Sequence, residues 1–311
     1  MGESADGVVV FPILSSAIAS TLTGTALVVT RYVVHQADGL TIATLRYILA
    51  AGCLLFLTPI CRRLIVNRRD LPPIIGLGVL YFGLFPWCIS AAMQYTTASE
   101  GAIVLASTPA ITLLLGGLNG SESLSVLKGL GVVCAALGAA VAYKGAVLDL
   151  AATNVSLGTL LMVLAAVAGA VYAVFSRPYV IKYSPLTVTA IAMGAGAIAL
   201  SLVWLIGDRA IGLPHFDSFD WLAILYIGIA GGAVSFFLYA WALGRASPTT
   251  IMILLPLNPM AALVAGSLWL GEPLGVNILA GLALVVVGIL LVVAPNRGAR
   301  SVWLPSRKTQ K

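Results

Sequence analysis

The sequence predicts an all-α integral membrane protein with ten transmembrane helices arranged as two inverted five-helix repeats. Three observations lead there: a surplus of apolar residues, apolar runs of span length along the whole chain, and a gapless match between the two halves. The 311 residues are 60% hydrophobic and 9% charged, with mean hydropathy +1.05. Soluble globular chains average about 45–50% apolar and about 25% charged, so no water-bounded core accounts for this composition. Runs of about 18–20 apolar residues, enough for a helix to cross a bilayer, recur from end to end.

The spans follow in order. The first, 10–33, is rich in hydroxyls and stops at HQADG (35–39). The second, 40–60, carries LRY at 45–47 and gives way to the basic stretch NRRDLPP (67–73). The third, 72–94, is aromatic, and the fourth, 99–118, ends at NGSES (119–123). The fifth covers 124–146 and the sixth 157–180, which turns at YSP (183–185) into the seventh, 186–206. The eighth, 219–243, meets RASP (245–248), the ninth, 248–269, meets LGEPLG (270–275), and the tenth covers 275–294. Gly, Pro, Ser and Asn at these breaks are turn formers. Short connections make successive helices antiparallel neighbours.

Charge orients the chain. Arg62, Arg63, Arg68 and Arg69 share the second connection, and Arg297, Arg300, Arg307, Lys308 and Lys311 share the tail. Lys128, Arg177, Lys182 and Arg245 fall on the same side, and Arg31, Lys144 and Arg209 on the other, with Asp38, Asp149, Asp208, Asp217 and Glu272. Cytoplasmic loops retain Lys and Arg, so both termini are expected in the cytoplasm. The formal net charge of +6 is thereby explained by topology, and no nucleic-acid partner is expected. Cys53, Cys61, Cys88 and Cys134 lie in or beside apolar segments without metal spacing, so neither metal nor cofactor is expected. The acidic start MGESADGVVV lacks the basic region of a cleavable signal peptide.

A shift of 150 positions aligns Pro109 with Pro259 and Glu122 with Glu272, alongside several Leu, Gly and Ala matches. A weaker match, shifted by 146, pairs residues 30–41 with 176–187. The expected units are residues 1–150 and 151–311. With five helices each, the second enters the membrane inverted, a device of secondary transporters that rock around a midplane site. Pro109 and Pro259 then sit near mid-span, where each removes a backbone donor and is expected to free carbonyls at a kink. Two readings stand: the kinks line the route, or they are architectural.

Ten spans, the 5+5 repeat, LRY, and the pattern Pro259, Gly271, Glu272, Pro273, Leu274 resemble EamA-type members of the drug/metabolite transporter superfamily. In the first half Ser121 replaces the Gly before Glu122. The overall look is similar to YddG-type exporters of aromatic amino acids and related metabolites. The resemblance implies a multi-pass protein of the bacterial plasma (inner) membrane and a small-molecule cargo. It also implies a central cavity between spans one to four and six to nine, with alternating access.

Thr21 and Thr25 share a face of span one, with bonding back to their own helix as the simpler reading. Ser107 and Thr108 stand beside Pro109, and Asn258 beside Pro259, where its amide joins helices or meets cargo. Tyr81 and Phe85 share a face of span three, and Tyr172, Ser235 and Tyr239 come from spans six and eight. Their rings suit a flat apolar cargo or a cation. Trp204, Trp221, Trp241 and Trp303 read as interfacial anchors. Arg46 is the cation well inside a span: it snorkels or pairs with a loop acid, or it contacts an anionic group on cargo. No acid stands near mid-span, which favours facilitated export or a coupling not visible in the sequence.

Small-residue runs at Gly131, Ala135 and Gly138 and at Gly281 and Gly288 read as helix-packing faces, with homodimerisation as the alternative. A membrane enzyme lacks support, because neither H-E-x-x-H nor G-x-S-x-G occurs and His35 and His215 both fall in outer loops. A channel fits the inverted design less well than a carrier does. A broad exporter of drugs or organic cations is the second reading within carriers.

Overall fold

The computed structural model describes residues 7–33, 37, 39–60, 66–92, 95, 104–105, 107–122, 124–142, 157–206, 216–270 and 276–293. Asp38, Asp149, Asp208, Glu272, Arg62, Arg63, Lys144, Arg209, Cys61, both histidines and the tail from 294 lie outside them, as do the side chains of Arg31 and Pro259. Every regular element among the described residues is helical. They are α1 (Gly7–Val33), α2 (Gly39–Ile60), α3 (Leu71–Gly78), α4 (Phe85–Ala92), α5 (Thr108–Leu118), α6 (Val126–Ala142), α7 (Leu157–Lys182), α8 (Pro185–Ile206), α9 (Ser218–Gly228), α10 (Ser235–Leu243), α11 (Pro248–Met252), α12 (Leu257–Leu270) and α13 (Val276–Val293). Two π-helical turns, π1 (Val79–Leu84) and π2 (Ile229–Val234), join α3 to α4 and α9 to α10 without a break.

Among the described residues, six stretches are long and apolar enough to cross a membrane: Val10–Thr30, Gly39–Leu57, Leu71–Ile89, Leu157–Lys182, Pro185–Ile206 and Ser218–Leu243. They fall on the first, second, third, sixth, seventh and eighth expected spans. The remaining four expected spans are represented by shorter described helices. Much of 99–107 is outside the described residues, and span nine is divided. Large apolar side chains face outward, among them Phe56 at 74% and Leu268 at 77% exposure. An apolar exterior this extensive suits hydrocarbon rather than water.

Span nine divides at Ile253–Pro256. Leu254, Leu255, Leu257 and Asn258 each donate their N–H to the carbonyl three residues back, at 2.9–3.2 Å. These are tightened 3₁₀-type bonds, used where an α-helix is interrupted. Both singled-out prolines correct the expectation of a mid-helix kink with open carbonyls. Pro109 is the second residue of α5 and Pro259 the third of α12, positions in the first turn where a missing N–H costs little. The carbonyl four residues before each is occupied. Leu105 O accepts Thr108 Oγ1 at 2.6 Å, and Leu255 O accepts the Asn258 N–H at 2.9 Å.

The packing repeats itself. α2 lies on α8 and α6 on α13; α1 packs against α10 and α12, while α7 packs against α4 and α5. At the α6–α13 contact the expected small-residue faces meet within the chain. A methyl added at Gly131 would lie 2.6 Å from Gly288 O, one at Gly288 2.5 Å from Gly131 O, and one at Gly138 2.7 Å from Gly281 O. Only a hydrogen in place of a side chain permits this backbone-to-backbone approach. Trp204 is tied by Nε1 to Thr41 Oγ1 at 2.9 Å, a structural bond rather than a free anchor, and Trp241 lies under the Arg245 guanidinium at 4.0 Å. Asp70, ahead of α3, accepts from Lys182 Nζ at 2.5 Å and from the Tyr183 hydroxyl. These two donors hold its carboxyl below the ordinary carboxylate value.

Two outcomes follow. Gly131→Ala and Gly288→Ala should each destabilise the fold by the about 1–3 kcal/mol typical of overpacking, read as a lowered thermal midpoint in detergent. Gly129→Ala on the same helix, where a methyl meets nothing within 4 Å, should not. Because the folded-state pKa of Asp70 is depressed, its contribution is complete above the unfolded value and fades as pH falls through the folded one. The midpoint difference between wild type and Asp70→Asn should therefore hold from neutral pH down to the ordinary value of 3.8 and close only below it.

Candidate functional site

The predicted rings converge. Tyr81 projects from π1, where the wider turn leaves three consecutive residues, Tyr81, Phe82 and Gly83, buried. Its ring stacks on Tyr172 of α7, with centroids 4.4 Å apart and planes at 11°. Phe85 closes on Tyr81 at 5.2 Å, and Tyr239 of α10 lies near-parallel to it at 6.5 Å. Such separations are those of interacting aromatic pairs. Gly169 of α7 forms the adjoining wall: a methyl there would lie 3.5 Å from Thr108 Cγ2, 3.7 Å from Phe85 and 3.8 Å from Tyr81. This single point joins α5, α4, π1 and α7.

Three rings not predicted for the site complete the cluster. Phe82 contacts Tyr172 at 5.5 Å and Phe236 at 5.0 Å, and Tyr47 contacts Phe82 at 5.8 Å. Adjacency was the available signal, since Tyr47 follows Arg46, Phe82 follows Tyr81 and Phe236 follows Ser235. The Tyr239 hydroxyl points to Met252 Sδ at 3.9 Å, so α11 touches the same cluster.

The polar residues are organised around irregular backbone. Arg46 neither pairs with a loop acid nor reaches outward among the contacts described. Its Nη2 donates to Gly231 O in π2 at 2.7 Å. Ser235 Oγ donates to the same carbonyl at 2.7 Å, so both residues satisfy a group that the π turn displaces from its usual partner. Arg46 Nε is buried without a hydrogen-bond partner. Its guanidinium stands 5.5 Å from the Tyr47 ring centroid, bringing a fixed positive charge beside the aromatic cluster.

A second grouping lies where α1 meets α12. A methyl at Gly24 would lie 2.2 Å from Asn258 O, so the two backbones touch. Thr25 bonds back to Leu22 O at 3.0 Å and meets the Tyr226 hydroxyl at 2.8 Å; Tyr226 was not foreseen from the sequence. Thr21 bonds back to Ala17 O at 2.9 Å and is exposed. Ser107 bonds back to Val104 O at 2.6 Å. The hydroxyl protons of Thr21, Ser107 and Thr108 are thus engaged by main-chain carbonyls three or four residues back, leaving oxygen lone pairs as what these residues can offer. A cleft of about 340 Å³ between Val180–Pro185 and Gly244–Arg245 contains none of the predicted site residues.

Two stretches, residues 10–144 and 156–294, match the EamA-like transporter family. An uncharacterized transporter of Archaeoglobus fulgidus is 26% identical over 279 residues, covering 89% of this chain and 96% of its own length. The probable terminal-alkyne amino-acid exporter of Streptantibioticus cattleyicolor is 27% identical over 264 residues, covering 84% of each chain. A crystal structure superimposes with a TM-score of 0.75 at 15% identity, covering 93% of this chain and 97% of that one, which establishes a shared fold. Matched over both halves, the chain belongs to the EamA-like transporter family, as a multi-pass membrane transporter.

Proposed function

We propose that this transporter exports small amphipathic metabolites, aromatic amino acids foremost, by alternating access, without catalysis or a cofactor. The observation that carries the reading is the stack of Tyr81 on Tyr172, ringed by Phe82, Phe85, Phe236 and Tyr239, with the Arg46 charge beside it. A cargo with a ring and a polar head needs apolar walls and a few fixed polar groups, and this centre supplies both. The proposed cargo contacts are Tyr81, Phe85, Tyr172 and Tyr239, with Thr21, Thr25, Ser107, Thr108, Ser235 and Asn258 at the polar margin and Arg46 facing a carboxylate. The amino-acid exporter among the relatives agrees with this class.

In this reading ten spans form two inverted five-helix units. The two separate family matches support it. So does the spacing of π1 and π2, whose bounds differ by the same 150 positions as the sequence repeat. The exchanged packing of α1 and α7 against the opposite half supports it further. The basic second connection and tail are assigned to the cytoplasm of a bacterium, the membrane being its plasma membrane.

Ring removal is the direct test. Tyr81→Ala, Phe85→Ala and Tyr172→Ala should each forfeit about 1–3 kcal/mol of apolar contact, a five- to hundredfold loss of affinity for phenylalanine or tryptophan. Threonine, measured in the same proteoliposome flux assay, should be affected less. Equal losses for every cargo would point to folding or gating and remove the aromatic reading. Topology is checked separately. Single cysteines at Asn67 and Arg300 should resist an impermeant thiol reagent in intact cells while one at Asp149 reacts. Outside labelling at position 67 would refute the orientation.

A further inference from the structure

Glu122 stands in the connection between α5 and α6, yet its side chain is only 1% exposed. The backbone aims it inward. Ser121 and Glu122 both donate their N–H to Gly116 O, at 2.9 and 3.1 Å, and Gly120 takes a φ of +65°, which glycine adopts without a side-chain penalty. A methyl at Gly116 would lie 3.1 Å from Glu122 Cγ, so the glycine leaves room for the acid. Oε2 accepts from Lys128 Nζ at 2.9 Å. Oε1 accepts from the main-chain N–H of Thr249 at 2.7 Å, across 127 positions, at the start of α11. Arg177 of α7 lies within electrostatic reach of the same carboxylate and donates Nε to Leu243 O at 3.2 Å.

A carboxylate taken out of water needs its full set of partners. This one takes a lysine from the first turn of α6 and an N–H from a distant helix, and the second persists only while α11 stays seated. α11 is the short piece ahead of the Ile253–Pro256 turn, and a turn of 3₁₀-type bonds is a place where a helix can hinge. If α11 swings away, Glu122 loses a buried partner and must be met by water, so the contact has two defined states: closed and dry, or open and wet.

We propose that Glu122 is the polar latch that keeps this end of the transport route shut, and that opening toward this side requires the Glu122–Thr249 bond to break. The proposal rests on the alternating-access reading and adds the residue that holds one gate. Glu122 acts through α11, as a positioning residue, and does not touch cargo.

The test reads access. A cysteine replaces Thr108 in a background where Cys53, Cys61, Cys88 and Cys134 are alanine, and an impermeant maleimide is applied to one face of oriented proteoliposomes. Glu122→Ala should raise labelling from the face bearing the α5–α6 connection by about tenfold, the scale of a lost charge-assisted hydrogen bond, and lower it from the opposite face. Glu122→Gln, close in size and still an acceptor for the Thr249 N–H, should move labelling in the same direction by less, and it serves if the alanine variant does not fold. A merely structural glutamate would change expression without favouring one face. Counterflow of labelled against unlabelled phenylalanine in the wild type checks alternating access separately. Its absence overturns that reading and the latch with it; intact counterflow with unchanged labelling from both faces overturns the latch alone.

Discussion

A chain in hydrocarbon must satisfy every backbone polar group from within, because no water is available to do it. Regular helices meet that demand automatically, so the informative places are where the helices are irregular. At the start of α5 the Thr108 hydroxyl takes the Leu105 carbonyl, and at the start of α12 the Asn258 N–H takes that of Leu255. In π2 the Gly231 carbonyl receives both Arg46 and Ser235. Each irregularity is thus closed by a polar side chain or a tightened turn. The polar residues of the centre are there first to keep the backbone satisfied; any contact with cargo is superimposed on that duty.

The same economy governs close packing. Lipid tails are as apolar as leucine, so helices gain little from burying leucine against one another and depend instead on close approach. Gly131 against Gly288 and Gly24 against Asn258 bring backbones together. Phe82 fits where a side chain at Gly196 would intrude, a methyl there lying 2.3 Å from Phe82 Cβ. Small residues outside the centre thereby make room for large rings inside it.

The all-helical membrane class was legible because apolar runs and turn residues report helices crossing a membrane, and the six long apolar helices among the described residues fall where those runs predicted. The division of span nine was announced by Pro256 and Pro259, although what they do is begin a helix rather than bend one. The π turns were not legible. Glycines in IAGGAV hint at the second, but VLYFGL reads as ordinary helix, since an extra residue in a turn depends on what packs against it. The ring cluster was half legible: Tyr81, Phe85 and Tyr172 lie deep in their apolar runs and Tyr239 follows Ser235 by one turn, whereas Tyr47, Phe82 and Phe236 belong to it only through tertiary packing. The partner of Arg46 was invisible, because a main-chain carbonyl 185 positions away carries no residue signature.

The α6–α13 contact has a consequence for biosynthesis. Its two glycine faces are separated by most of the second half of the chain, so α6 enters the membrane with an unfilled groove at Gly131 and Gly138. At translation rates of about 5–20 residues per second, that groove waits on the order of ten seconds for α13 to emerge from the ribosome. During that interval its closest available neighbours are lipid, the insertion machinery or another nascent chain. A helix made about 150 residues later therefore seals a close contact of the first half, and loss of α13 would leave a defect far back in the sequence.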